Sequence, residues 1–286
     1  MTQELVSVID AHVHIYDPAK FLYPWLSGVP QIEKAHTIDE YVARTRQVFN
    51  LERFVFVEVG IEDKSALAEA EWIASQAKDQ PKLGAIVAHA LLERGAAVRE
   101  DLDRLAAMPK VVGVRRLFEK PFQSDLDFPI RPSFVEGVKL LPEYGFSYDL
   151  CGAEYNVENM VKLVRLCPEV TFVLDHIGKP LIASGGWEPW RSHIRSLATM
   201  DNVSVKISGL LTEAGGPYRA NIERYVHEVV DAFGFDRVMY GSDYPVQELA
   251  GGLEQWFGLI DGIMAVYTLD ERAKYFSENA RRIYRL

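Results

Sequence analysis

The chain predicts an α/β fold, a single (β/α)8 TIM barrel. Two observations carry that prediction. Short β-branched or apolar runs alternate with longer helix-like segments from one end of the chain to the other, the rhythm of βα units on a parallel sheet. Eight such runs recur about every 30 residues, a spacing that suits a closed barrel. A doubly wound open sheet shares the alternation, but no G-x-G-x-x-G follows an early strand.

The predicted strands are 5–14, 54–59, 84–89, 111–117, 146–150, 170–176, 203–208 and 237–240, each a short run rich in valine, isoleucine, phenylalanine or tyrosine. Helical patterns separate them at 38–49, 65–78, 97–107, 133–143, 157–166, 190–200 and 221–233. Thr37-Ile-Asp-Glu and Asn156-Val-Glu-Asn resemble N-terminal caps, in which a side-chain oxygen accepts from free helix N–H groups. Gly145 and Gly234 follow helical runs just before strands, where a left-handed C-cap residue is expected. Three irregular stretches, 15–37, 119–132 and 181–189, follow strands one, four and six. In a barrel all three rim the C-terminal face, where active sites sit. No linker, repeat or low-complexity tract divides the chain, so residues 1–286 are expected to form one domain.

Composition narrows the function. The 286 residues are 48% hydrophobic and 25% charged, the profile of a folded globular protein. A formal charge of −10 with no Lys/Arg-rich run argues against nucleic acid as a partner. No apolar stretch approaches the roughly 20 residues of a membrane helix, and the polar N-terminus lacks a signal pattern, so a cytoplasmic location is expected. Cys151 and Cys167 are too few for a disulfide scaffold and lack metal-motif spacing; packed, reduced thiols are expected.

Chemistry concentrates at strand ends. In Val8-Ile-Asp-Ala-His12-Val-His14 the two histidines stand two apart, on the same side of a strand, and can converge on one ligand. Asp175-His176-Ile-Gly-Lys-Pro supplies a third imidazole before a forced turn, and Tyr240-Gly-Ser-Asp243-Tyr-Pro supplies a carboxylate after strand eight. A carboxylate at such a depth must be paired, bound to metal or strongly hydrogen-bonded. Strand eight closes beside strand one, so His12, His14, His176 and Asp243 can face one cavity. Around them the predicted substrate-binding ring comprises Trp25, Glu58, Arg115 or Arg116, Tyr148 and Lys206. Adjacent Arg115 and Arg116 should point to opposite sides, so one of the two faces substrate. Lys206 is equally suited to pairing with Asp243 or Asp175, and His89 to plain packing.

Together D-A-H-V-H, D-H-I-G-K-P, V-K-I-S-G and Y-G-S-D-Y-P resemble the amidohydrolase superfamily, specifically its amidohydrolase-2 branch, across nearly the whole chain. Within that branch the chain looks most like the sugar-lactonase group, whose first loop carries a run similar to Tyr23-Pro24-Trp25. The resemblance implies hydrolysis of a small-molecule lactone to its hydroxy acid, with Asp243 as general base and His12, His14 and His176 around the electrophile or a bound cation. Many superfamily members hold two metals through a carboxylated lysine on strand four and a histidine on strand five. Here those strands end in Arg115-Arg116 and Tyr148-Asp149, which leaves room for one divalent metal, Zn2+, held by His12, His14, His176 and Asp243. In lactonases of this kind the metal can be dispensable, because a lactone is a more reactive acyl compound than an amide. Two rivals stay open: a zinc-dependent decarboxylase or amide hydrolase of the same branch, and a non-catalytic barrel that binds sugar acids. Self-association is likewise left open.

Overall fold

The structure, a computed structural model, describes residues 5–286. Eight strands form it: β1 (Ser7–Val13), β2 (Asn50–Val57), β3 (Leu83–His89), β4 (Val111–Leu117), β5 (Ser147–Cys151), β6 (Phe172–Leu174), β7 (Val203–Ile207) and β8 (Val238–Tyr240). Each pairs in parallel with the next in sequence order. The ring closes by a parallel bridge between Val13 and Tyr244. At this seam the His14 N–H donates to the Tyr244 carbonyl at 2.7 Å and the Asp243 N–H to the His12 carbonyl at 2.9 Å. The architecture is a (β/α)8 TIM barrel, as the alternation predicts.

The outer layer comprises α1 (Ile38–Thr45), α2 (Ala66–Gln76), α3 (Arg99–Ala106), α4 (Pro132–Val138), α5 (Val157–Leu166), α6 (Trp190–Ala198), α7 (Leu210–Ala214), α8 (Arg219–Phe233) and α9 (Leu253–Met264), then α10 (Leu269–Ala273) and α11 (Asn279–Ile283). The Thr37 side chain caps α1 by accepting from the Glu40 N–H. Asn156 does not cap α5; its backbone is helical and its side chain makes no cap bond. Gly145 takes the left-handed conformation expected of it, and Gly234 has a positive φ of 69°. Among the described residues no helix is long and apolar enough to cross a membrane. Both cysteines are buried and unbonded to one another.

Alternation along the strands sorts side chains into two cores. Val8, Phe54, Phe56, Ile86, Tyr148, Phe172, Val205 and Tyr240 face outward into the layer beneath the helices. Ile9, Ala11, Val55, Val57, Ala85, Val87, Val173 and Met239 fill the barrel interior, sealed from below by Ala280 and Tyr284. That apolar floor makes the interior a packed core, with polar side chains confined to the upper half.

Candidate active site

His12 would face the helices if β1 alternated strictly from Ile9 and Ala11. It faces inward because the β1–β2 register shifts between Asp10 and Val13, a bulge that turns both His12 and His14 toward the barrel axis. Asp10 fixes this bulge from behind. Its carboxylate accepts from the His12 N–H at 3.1 Å, from the Ser242 N–H at 2.8 Å and from the Tyr41 hydroxyl at 2.6 Å, stapling β1 to the β8 turn. Burial raises the Asp10 carboxyl to about 6, and these bonds oppose the rise.

His176 and Asp243 occupy turns in a conformation unusual for side-chain-bearing residues, with φ of 51° and 60°. Such backbones concentrate where the surrounding structure forces a side chain into a functional position. Gly209 makes room for the first, since a Cβ there would stand 2.7 Å from His176 Nδ1. The result is a tight group. His14 Nε2 lies 3.1 Å from His12 Nε2 and 3.5 Å from Asp243 Oδ1, while His12 Nε2 and His176 Nε2 lie 3.8 and 4.0 Å from that same oxygen.

Protonation follows from the partners. His14 Nδ1 stands 2.8 Å from the Val57 carbonyl, which can only accept, so the proton is on Nδ1 and the Nε2 lone pair faces the group. Burial lowers His12 far below its usual range and His176 to about 4, against the opposing pull of Asp175 and Asp243 respectively. Burial pushes Asp243 the other way, but the imidazoles packed around it, His176 first and then His14 and His12, hold its carboxyl well below the usual range. Near neutral pH the group therefore holds a carboxylate beside the imidazoles of His12 and His176, which burial keeps neutral.

These atoms also suit one cation. Ligands on a tetrahedral ion with bonds near 2.0–2.1 Å are roughly 3.3 Å apart, close to the separations found among His12, His14 and Asp243. Asp175 Oδ1 is 3.3 Å from His12 Nδ1, placed to accept from a proton there, a tautomer that leaves Nε2 free as a ligand.

Beneath the group lies a buried layer of charge. Arg115 donates to Glu58 Oε1 at 2.7 Å, to the Glu58 carbonyl at 2.5 Å and to Asp175 Oδ2 at 3.0 Å. Lys206 pairs with Asp149 at 2.6 Å and Asp175 at 3.0 Å, and Tyr284 donates to Asp149 from below. Four of the residues expected at substrate do not line the cavity. Glu58 and Lys206 lie under it, fully buried in these ion pairs. Arg116, one residue out of phase with Arg115, points away to Asp63 and Glu93. Tyr148 faces outward because its neighbour Asp149 faces in; its ring packs on Phe118, Phe134 and Phe172. His89 is packed between Glu58 and Asp63.

A cavity of about 360 Å3 opens above the group. His14, His176, Asp243 and Arg115 reach its floor, and His12 lies just below, fully buried. Trp25 lines one side as expected, its indole N–H donating to the Val59 carbonyl at 2.7 Å, with Phe122 nearby across Gly60. The opposite side is polar and was not anticipated. Lys179 and Glu119 form an ion pair there, beside Thr212 and Glu213 of α7. Burial pushes the Glu213 carboxyl up to about 7; Lys179 pulls it down, while Glu119 and Asp243 add to the rise.

The amidohydrolase model matches residues 9–286, so every residue of this group falls within the match. The chain belongs to the amidohydrolase family. Among amidohydrolases it is 32% identical to an L-fucono-1,5-lactonase of Burkholderia ambifaria over 191 residues, 65% of each chain. It is 26% identical to an L-fucono-1,5-lactonase of Burkholderia multivorans, covering 97% of this chain and 96% of that one. A crystal structure of a zinc-bound amidohydrolase from Burkholderia multivorans superposes with a TM-score of 0.87 at 26% identity, over 98% of this chain and 100% of that one.

Proposed function

We propose that this amidohydrolase opens a sugar-acid lactone to its hydroxy acid. The observation that carries the reading is an ionised carboxylate, Asp243, held against the imidazoles of His12, His14 and His176 at the floor of a cavity of about 360 Å3, His12 just beneath it. The two relatives bearing the name L-fucono-1,5-lactonase support the lactone as substrate class.

The residues divide the work. Asp243 takes a proton from water as the water attacks the lactone carbonyl, and returns it to the ring oxygen when the acyl C–O bond breaks. His176 Nδ1 lies 2.9 Å from the Ser208 hydroxyl; when that hydroxyl donates, His176 carries its proton on Nε2 and, with no cation bound, donates it toward the oxygen on which charge develops. His14 has no proton on its inward nitrogen, so it serves as an acceptor or a metal ligand. One divalent cation, zinc, would be held by His12, His14, His176 and Asp243, and when bound it polarises the carbonyl and acidifies water. Lactone opening requires it less than amide hydrolysis would.

A substrate panel tests the reading. Turnover is followed by proton release for neutral aldonolactones and carboxylated lactones, by ammonia for simple amides and by product chromatography for hydroxybenzoates, before and after exhaustive chelation. Neutral aldonolactones are expected to react at least about a hundredfold more efficiently than the amides, a gap of roughly 3 kcal/mol in barrier, and to keep turning over after chelation. Turnover confined to amides or decarboxylation would overturn the reading.

A further inference from the structure

Both non-histidine cations on the cavity wall, Arg115 and Lys179, already have carboxylate partners. Arg115 is held by Glu58 and Asp175, and Lys179 by Glu119. Glu213 is different. Its carboxyl lines the cavity half-buried and, among the described residues, makes no hydrogen bond or ion pair. A polar group in that position gains from any ligand that brings it a hydroxyl. A substrate carboxylate would meet no unpaired lysine or arginine among the lining residues, and would face Glu213 and Asp243.

We propose that Glu213, with Thr212 and the Lys179–Glu119 pair beside it, forms a hydroxyl-reading subsite that selects an uncharged polyhydroxylated lactone and rejects a carboxylated one. The inference deepens the lactonase reading and rests on it. The layout suits a sugar ring. Trp25, Val59 and Phe122, from the connections that follow β1, β2 and β4, offer an apolar surface to the C–H face. Lys179 and Glu213, from the ends of β6 and β7 across the barrel, meet the hydroxyl edge. In either protonation state the Glu213 carboxyl accepts from a hydroxyl, and in neither is it a counter-ion for a carboxylate. α7 delivers this side chain because Gly209 and Gly215, both left-handed, bound a single helical turn over the mouth.

The test compares wild type, Glu213→Leu and Glu213→Gln on a hydroxylated aldonolactone, unsubstituted δ-valerolactone and a carboxylated lactone, with folding checked by circular dichroism. The readout is a ratio of kcat/KM values, which a general loss of activity does not move. In Glu213→Leu the preference for the hydroxylated over the unsubstituted lactone should fall about 30-fold, expressed mainly in KM, as expected for losing a charge-assisted hydrogen bond. In Glu213→Gln the carboxylated lactone should gain about tenfold relative to the neutral one. Unchanged ratios in folded variants would overturn the proposal, as would wild type that turns over carboxylated and neutral lactones equally well. If no lactone is turned over, calorimetric titration with a neutral aldonolactam separates the two claims. Binding that weakens at least about tenfold in Glu213→Leu supports the subsite while the lactonase reading fails; equal binding, or none to wild type, overturns the subsite as well.

Discussion

Arg115 shows at the scale of one residue how the floor of the site is held. Its guanidinium bridges Glu58 and Asp175, all three buried, so its removal takes a shared charge partner from two carboxylates and leaves Glu58 to His89 and Asp175 to Lys206. Arg115→Met should therefore lower unfolding free energy by about 3–5 kcal/mol, read from urea denaturation. A loss below about 1 kcal/mol would mean that solvent reaches the pair. The same residue marks what the sequence discloses. Alternation within Arg115-Arg116 requires the two to diverge, but which one enters the barrel depends on strand phase, and a bulge can reverse that phase, as it does at His12. His12, His14, His176 and Asp243 were legible because strand ends and forced turns mark them. Glu213 and Lys179 were not. A charged residue in a short, glycine-bounded turn has the same local sequence whether it faces solvent or a cavity.

Among the elements, strands were the most legible, because each is a compact apolar run bounded by turn residues. β4 and α5 have the predicted bounds, whereas β2 starts four residues earlier than expected, at Asn50, where polar residues precede its apolar core. α7 was missed because five residues are too few to show a helical period. α2 bears a testable anomaly on its buried face. Glu69 is buried there with Oε1 unpartnered, and burial, followed by the charge of Glu58, pushes its carboxyl from 4.5 up to about 8. A raised folded-state value means that the folded chain binds the extra proton, so this contribution is complete below about pH 4.5 and is lost as pH rises through about 8. Glu69→Gln removes that dependence. It should be more stable than wild type by roughly 3 kcal/mol at pH 9 and nearly equal to it at pH 4, measured by thermal or urea unfolding at both values. A constant difference across that range would contradict the assignment. His89, held at about 9 by Asp63 and Glu58 against burial, loses its own contribution over the same alkaline range in both proteins.

At the scale of the whole molecule, the seam of the barrel and the site coincide. The backbone bonds that close β8 onto β1 run through His12, His14 and Asp243 themselves, so closing the fold assembles the chemistry. Below, Tyr284 near the C-terminus seals the interior and donates to Asp149, tying the chain end to the charged layer. Net charge says little about this interior: a chain of formal charge −10 keeps Arg115, Lys179 and Lys206 paired around its cavity and floor. The direct test of the base assigned at this seam is kcat/KM of Asp243→Asn on a neutral aldonolactone. Asparagine tolerates the positive φ of this position and keeps the shape of the side chain, so the variant should fold as wild type does. A loss of about a thousandfold or more, with the unfolding midpoint retained, is expected if Asp243 moves the proton. A folded variant that keeps more than about a tenth of the wild-type value would remove Asp243 from that role.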